Sequence, residues 1–203
     1  MTKGIKTGLI VLIGIIILGM MGCSSLSRTY NNMVSMEEAV TANWSQVENV
    51  YQRRMDLIPN LVATVKGYAS HEQETFTQIA DARSKAGGTM QISDEVLNNP
   101  ESFQRFQQAQ GELGTALQRL MVVSENYPEL KANQNFLALQ DQLEGTENRI
   151  SVERKRFNDT VRVYNTYIKQ FPRIFIANMA GFDEKNYFQA AEGSSIAPSV
   201  SFE

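Results

Sequence analysis

The sequence predicts an all-α protein, in which an elongated bundle of long helices follows an N-terminal membrane anchor. The first observation is an uncharged apolar run over residues 8–22. The second is that apolar residues beyond it recur at the three- and four-residue steps of helices buried on one face. The third is that Gly87-Gly88, Pro100, Pro128 and Pro172 fall at the ends of these periodic stretches, where such residues begin or end helices.

Composition bounds the classes of function. A chain of 203 residues fits one domain plus an anchor. One cysteine and one histidine exclude a disulfide framework and a His- or Cys-rich metal site. A formal net charge of −3 excludes a basic nucleic-acid-binding surface. We therefore expect no cofactor and no nucleic-acid partner.

The anchor comprises residues 1–27. Lys3 and Lys6 precede the apolar run, which is tight for a membrane-spanning helix of about 17–20 residues and also fits a secretory signal. Gly22-Cys23 at its end resembles a lipobox, in which the signal is cut before cysteine and the thiol is acylated. An uncleaved transmembrane helix and a lipoprotein signal with Cys23 as the lipid attachment site both stay open. Either tethers the remaining chain to membrane lipid.

The lysines also predict orientation, because positive charge stays on the cytoplasmic side of a membrane. Arg28 is followed by Glu37 and Glu38, so the region after the anchor has no comparable excess of positive charge. We expect the N-terminus inside and the body on the extracytoplasmic side.

The first long helix is predicted to run from Thr29 to Ala86. Its apolar register continues across Pro59, which predicts one helix kinked at residues 55–59 and ended by Gly87-Gly88. The apolar residues of this register are Val40, Trp44, Val47, Tyr51, Ile58, Leu61, Val65 and Tyr68.

Two further long helices follow a predicted loop at residues 89–98. One begins near Asn99 with Pro100 in its first position, and the next begins at Pro128 and ends at Pro172. In the former, Gly111 and Gly114 are expected to let neighbouring helices approach closely. The latter carries a strict seven-residue series, which predicts left-handed, coiled-coil-like packing: Phe136, Leu143, Ile150, Phe157, Tyr164 and Phe171.

The bundle is predicted to span residues 28–188, with a flexible tail at 189–203. Between Pro172 and the tail lies an apolar cluster around Arg173, formed by Ile174, Phe175, Ile176, Met179 and Phe182. Two interpretations stay open for this cluster. It packs onto the end of the bundle, or it is an exposed contact for a membrane or a partner.

Catalytic motifs are incomplete in this sequence. His71-Glu72 lacks the second histidine of HExxH, because Thr75 stands in its place. Glu144 and Glu147 lie three residues apart on a helix, as on a solvated face. We therefore predict that the protein is not an enzyme.

One candidate site remains, a polar cluster at Arg53, Arg54, Asp56, Asn60 and Lys66. Arg54 falls in the apolar register, and a desolvated charge is costly unless it is paired. We predict that Arg53 or Arg54 pairs with an acidic residue of another helix. The cluster either fixes the register between helices or binds an acidic ligand or a partner helix.

Several blocks of the chain resemble the LemA family over about residues 28–188. These are WSQV at 44–47, RRMDLIPNLV at 53–62, VKGYA at 65–69 with His71-Glu72, SENYPELKA at 124–132, and matching positions within 135–172. The resemblance implies one N-terminal membrane helix and an antiparallel bundle with four-helix character. It implies no established catalytic residues.

From these features we expect a membrane-anchored, non-enzymatic helical-bundle protein of the bacterial cell envelope. Its expected role is interaction or scaffolding by helix-to-helix recognition, with unidentified protein partners that include other copies of itself. The alternative is an envelope sensor module, which binds a small ligand and signals through a membrane partner.

Overall fold

The computed structural model describes residues 3–91 and 93–189, and over these residues the chain is all-α. No strand occurs in the described part, which confirms the predicted fold class. Four helices are long, in agreement with the four-helix character implied by the resemblance. The helices are α1 (Lys3–Lys66), α2 (Gln73–Met90), α3 (Ser93–Asn98), α4 (Pro100–Glu125), α5 (Pro128–Lys131), α6 (Gln134–Lys169) and α7 (Arg173–Ala180).

The N-terminal part of α1 exposes its apolar side chains. Described residues between Leu9 and Leu26, such as Leu18 and Ile10, are about half to two-thirds exposed. The helix is long and apolar enough to cross a membrane, and its apolar window is not buried within the protein. Cys23 lies in this stretch and is exposed.

The prediction of one helix from Thr29 to Ala86 is wrong. Helix α1 ends at Lys66, and a turn closed by bonds from the Tyr68 and Ala69 amides to the Val65 carbonyl (3.0 and 2.9 Å) precedes α2. Gly87 and Gly88 do not end a helix but lie inside α2. The apolar spacing did not reveal this break, because Val65 before it, Ala69 within it and Phe76 after it are all buried. Pro59 lies inside α1, as predicted.

The predicted start of α4 is confirmed at Pro100. The Asn99 side chain accepts hydrogen bonds from the amides of Glu101 (2.9 Å) and Ser102 (3.1 Å), which satisfies free N–H groups of the first turn. The predicted third helix is divided, since Pro128 opens the short α5 and α6 begins at Gln134. Part of the predicted loop at 89–98 forms α3.

The seven-residue series on α6 is buried at five of its six positions, from Phe136 to Tyr164. The sixth, Phe171, is 80% exposed, so its predicted place in the buried seam is wrong. Helix α6 ends at Lys169, and Phe171 therefore lies beyond the last turn that could carry the series.

The chain divides into two compact units. Unit 1 comprises residues 1–42 and 159–184, and unit 2 comprises residues 43–158 and 185–203. In unit 2, Trp44 of α1 packs against Phe157 of α6 with ring centroids 5.4 Å apart, and Arg54 contacts Glu147. Because the contact positions rise along α1 as they fall along α6, the two helices are antiparallel there. The predicted tail at 189–203 lies outside the described residues except for Gln189.

Candidate functional site

Arg54 is a buried charge at the junction of three helices of unit 2. Its side chain is held in the apolar seam of α1 and is only 3% exposed as a residue. Nη1 donates to both carboxylate oxygens of Glu147 on α6, at 3.0 and 3.3 Å. Nη2 donates to the carbonyl oxygen of Gln110 on α4 (3.2 Å) and to its side-chain oxygen. The structure therefore contains the interhelical ion pair that the sequence predicts.

The pair is asymmetric in burial. The Arg54 side chain is almost entirely removed from solvent, whereas the Glu147 side chain is 44% exposed. The desolvation cost therefore falls mainly on the guanidinium group, and Glu147 with Gln110 offsets it by accepting its hydrogen bonds. Glu147 is a solvent-reaching residue, as predicted, but one with a specific partner.

A cavity of about 580 Å³ lies beside Arg54, wholly within unit 2. Its wall is rich in amides and carries two arginines and one carboxylate, with an aromatic ring and two glycines. The lining residues are Tyr51, Arg54, Gln104, Gln107, Gln108, Gln110, Gly111, Gly114, Glu147, Ile150, Arg154 and Gln189.

The two glycines of α4 do not allow the close helix approach that we predicted from the sequence. A Cβ atom added at Gly111 or Gly114 would lie more than 4 Å from every described heavy atom outside the adjacent backbone of its own helix. They instead leave space where other residues would place a side chain, and both line the cavity.

Two residues of the cavity wall carry buried N–H groups without an acceptor. Among the described residues, these are Nε of Arg54 and Nε2 of Gln110. Both atoms are hydrogen-bond donors, so only an acceptor, such as a carboxylate oxygen or a water molecule, can satisfy them.

Arg154 of α6 forms another part of the same wall. It donates to the carbonyl oxygen of Gln189 (3.0 Å), and its guanidinium carbon lies 4.7 Å from the centroid of the Phe188 ring. Its positive charge also acts on the Tyr51 side chain. Burial raises the pKa of Tyr51, and the positive charges of Arg154 and Arg54 oppose this increase only in part. Tyr51 therefore remains a neutral phenol at neutral pH.

Phe188 and Gln189 close one side of this region. Asn158 donates to the Phe188 carbonyl and accepts from its amide, each at 2.9 Å, while the Gln189 amide donates to Gln107 (3.1 Å). The Phe188 ring packs with Trp44 and other aromatic rings of unit 2. Residues 188–189 thus form a strap over the helices.

The predicted polar cluster is divided between a buried and an exposed side of α1. Arg54 lines the cavity, whereas Arg53, Asp56, Asn60 and Lys66 are exposed and do not line it. Asp56 accepts instead from Gln52 on its own helix (2.7 Å). Successive residues of a helix point in directions about 100° apart, so Arg54 does not share a face with Arg53.

Gln110, Arg154 and Gln189 are the site residues that the sequence analysis missed. Arg154 lies within the family-like stretch 135–172 but was not singled out as a site residue, and nothing in the spacing of Gln110 or Gln189 distinguishes them from other polar residues. The described residues contain no group of three His, Cys, Asp or Glu side chains that is arranged to hold a metal ion.

Comparison with known proteins gives one family and a small set of relatives. The sequence model described as the LemA family matches residues 43–202. The magnetosome protein MamQ of Magnetospirillum gryphiswaldense is 28% identical over 195 residues, which cover 87% of this chain and 72% of the relative. The magnetosome proteins MamQ 2 and MamQ 1 of Paramagnetospirillum magneticum are each 29% identical over 181 residues, which cover 82% of this chain and 66% of each relative.

Proposed function

The chain belongs to the LemA family, and from this premise we propose that it is a membrane-anchored, non-enzymatic interaction or scaffold protein of the bacterial cell envelope. The protein is membrane-associated, with the apolar part of α1 as its anchor. Its proposed partners are other proteins, including further copies of itself, and its body is proposed to lie on the extracytoplasmic side.

The observation that carries this proposal is the continuity of α1. Helix α1 runs from Lys3 to Lys66, and within unit 1 it carries both the described exposed apolar side chains between Leu9 and Leu26 and the buried side chains of Met33 and Val40. No loop separates the anchor from the residues of α1 that pack in unit 1. Such an arrangement suits a protein that presents a folded surface at a membrane.

The relatives support the non-enzymatic part of the proposal. Their names refer to the magnetosome and specify no reaction. For this chain, the corresponding proposal is assembly with other proteins at a membrane.

Site-specific photo-crosslinking in intact cells tests the scaffold role. A benzophenone amino acid replaces Val122 or Val152, which are 67% and 55% exposed, and the matched controls carry it at the exposed polar residues Gln118 and Ser151. Exposed apolar side chains are the ones that gain most from burial in an interface. We expect discrete adducts with defined proteins or a second copy from at least one valine position. Equal heterogeneous labelling at all four positions, or no adduct at any, would contradict the proposal.

The cavity beside Arg54 favours a second candidate function, a sensor that binds a small acidic ligand. Its support is the pair of unpaired donors on Arg54 and Gln110, together with a second cation at Arg154. A carboxylate would accept from these groups, whereas an apolar ligand would leave them unpaired.

Thermal unfolding of the detergent-solubilised full chain tests the sensor role with acetate, succinate and inorganic phosphate as probes and chloride as the ionic-strength control. A bound carboxylate is expected to raise Tm with concentration, since ligands stabilise the state that they bind. Gly114→Leu should abolish the increase by filling the cavity while leaving Arg54 and Gln110 in place. No increase beyond that of chloride with any probe would contradict the sensor role and would leave water as the acceptor.

A further inference from the structure

Helix α7 presents an apolar face in unit 1 that the described residues leave exposed. Phe175 and Met179, four residues apart, lie along one side of α7 and are 65% and 83% exposed. Phe171, which lies in the turn just before α7, is 80% exposed and extends this face. The Phe171 and Phe175 rings contact each other at a centroid distance of 5.9 Å. Ala177, which points away from this face, is buried. The helix therefore packs on the protein with one side and leaves the other, strongly apolar side open.

The segment containing α7 is held beside α1 at both of its ends. Before α7, the Tyr167 hydroxyl accepts from Nδ2 of Asn32 (3.1 Å). After α7, the Phe182 ring packs edge-on against Tyr30 at 5.5 Å. All four residues belong to unit 1.

These contacts place α7 near the end of the membrane-type part of α1. Leu26 ends the exposed apolar stretch, and Tyr30 follows one helical turn later, about 6 Å along the axis at 1.5 Å per residue. The apolar face of α7 therefore lies at the level where α1 leaves the hydrocarbon and enters the headgroup layer.

The polar residues around α7 suit the same layer. The Arg173 guanidinium lies 4.0 Å from the Tyr167 ring centroid and donates to Gln170 (2.6 Å), and Lys169 pairs with Glu184 (2.6 Å). Aromatic rings and basic side chains are common at membrane–water interfaces. An interfacial helix inserts its apolar face below the headgroups and keeps its charged groups among them.

We propose that α7 is an interfacial membrane-binding helix, whose Phe171–Phe175–Met179 face inserts into the same bilayer that α1 enters. The occupant of this face is lipid rather than a second copy, because the segment that carries it contacts α1 at Tyr30 and Asn32, about one turn beyond the exposed apolar side chains that require lipid. The chain then contacts the membrane at two places, through α1 and through α7. The contact at α7 limits rotation of unit 1 about the axis of α1.

Depth-dependent quenching tests this proposal on the full chain in vesicles of phosphatidylcholine and phosphatidylglycerol. Part of the phosphatidylcholine carries bromine at carbons 6 and 7 of one acyl chain. Phe175→Trp reports on α7, and the native Trp44, which is only 2% exposed, is measured in the parent chain as the baseline. Val163→Trp is the matched control, since Val163 is 53% exposed on α6 of the same unit and lies about 12 Å before Phe171 along the chain at helical rise.

The emission added by Phe175→Trp should be quenched at least about twofold more strongly than that added by Val163→Trp, as a face buried ~5–10 Å into the headgroup boundary requires. Met179→Trp, on the same face, should behave like Phe175→Trp. Quenching at both positions no stronger than at Val163 would overturn the proposal. Protection of both tryptophans that depends on protein concentration, without lipid quenching, would assign the face to a second copy and also overturn it. Circular dichroism checks that each exposed-site variant remains helical.

Discussion

At the residue scale, Arg54 replaces an apolar side chain in an otherwise apolar seam. Its guanidinium group joins α1 to α4 and α6 through Gln110 and Glu147, and its carbon lies 5.0 Å from the Tyr51 ring centroid. Replacing a buried ion pair by apolar groups is often close to neutral for stability, whereas removing one partner is not. We therefore expect the ion pair to fix the register in which α1, α4 and α6 pack at Arg54 more than to increase the free energy of unfolding.

This asymmetry gives a prediction for two single variants. Glu147→Gln leaves the buried Arg54 charge without a counter-charge, so we expect the free energy of unfolding to fall by about 2 kcal/mol or more. Arg54→Met should cost less, because Glu147 is 44% exposed and can be solvated. Urea unfolding of the detergent-solubilised chain, followed by circular dichroism, measures both changes.

The exposed pair of Lys85 and Glu112 provides the control for these variants. Its atoms are 3.0 Å apart, but both side chains reach solvent, so Glu112→Gln should change stability by at most about 1 kcal/mol. A larger cost for Arg54→Met than for Glu147→Gln would contradict the account of Arg54. Unchanged stability of Arg54→Met together with loss of carboxylate binding would favour the sensor role.

Tyr164 gives a second prediction at this scale. Its ring is fully buried in unit 1, and its hydroxyl has no hydrogen-bond partner among the described residues. Burial raises its pKa, with further increases from Glu37 and Asp183. The unfolded chain therefore loses this proton first, near pH 10, and folding stability should fall as pH rises above that value. Tyr164→Phe should reduce this alkaline loss and should leave stability at pH 7 unchanged or higher by about 1 kcal/mol.

Unfolding free energies measured between pH 8 and 11 check the Tyr164 prediction. The remaining alkaline dependence in Tyr164→Phe should include Tyr51, whose pKa burial also raises. Identical slopes of stability against pH in the parent chain and in Tyr164→Phe would show that Tyr164 does not carry the effect.

At the element scale, apolar spacing predicted helices well and their ends poorly. The series from Phe136 to Tyr164 identified the buried face of α6, because repeated burial follows directly from helical periodicity. The break between α1 and α2 was missed because Val65, Ala69 and Phe76 maintain the periodicity while the chain turns. Periodicity reports which side of a helix is buried, but it does not report whether consecutive turns belong to one helix.

Glycine substitutions test the account of the helix interiors. Gly145 lies within α6. A Cβ atom there would lie more than 4 Å from every described heavy atom outside the adjacent backbone of its own helix. Gly145→Ala should raise the free energy of unfolding by about 0.5–1 kcal/mol, because alanine loses less backbone entropy in a helix. Thermal unfolding of the single variant measures the gain.

Gly181 is the matched control with the opposite expectation. It follows α7 with a φ of +77°, a conformation in which an L side chain is strained, so Gly181→Ala should destabilise the protein. Destabilisation by Gly145→Ala would instead mean that α6 lacks the free space around this position.

At the scale of the whole molecule, the fold was more predictable than the site. Arg54 was found from the sequence because a charge in an apolar seam needs a partner. The cavity was not, since it depends on Gln110 and Gly114 of α4, Arg154 of α6 and Gln189 after α7, which are separated along the chain. Sequence periodicity places residues on the faces of single helices, whereas a cavity requires the distances between helices.

The anchor supplies the last prediction, on the form of the mature chain. We predict that residues 1–22 are retained, because α1 continues without a break through Gly22-Cys23 and the exposed apolar side chains extend past them to Leu26. Met20 and Met21 also depart from the leucine and small residue that a lipobox favours at these positions. The intact mass of the purified protein should therefore correspond to an unmodified N-terminal segment, and Cys23→Ser should leave the protein in the membrane fraction. A mass corresponding to a chain that begins at Cys23 and carries lipid would contradict this, and so would loss of Cys23→Ser from the membrane. In either case, acylation would take the place of the helix as the anchor.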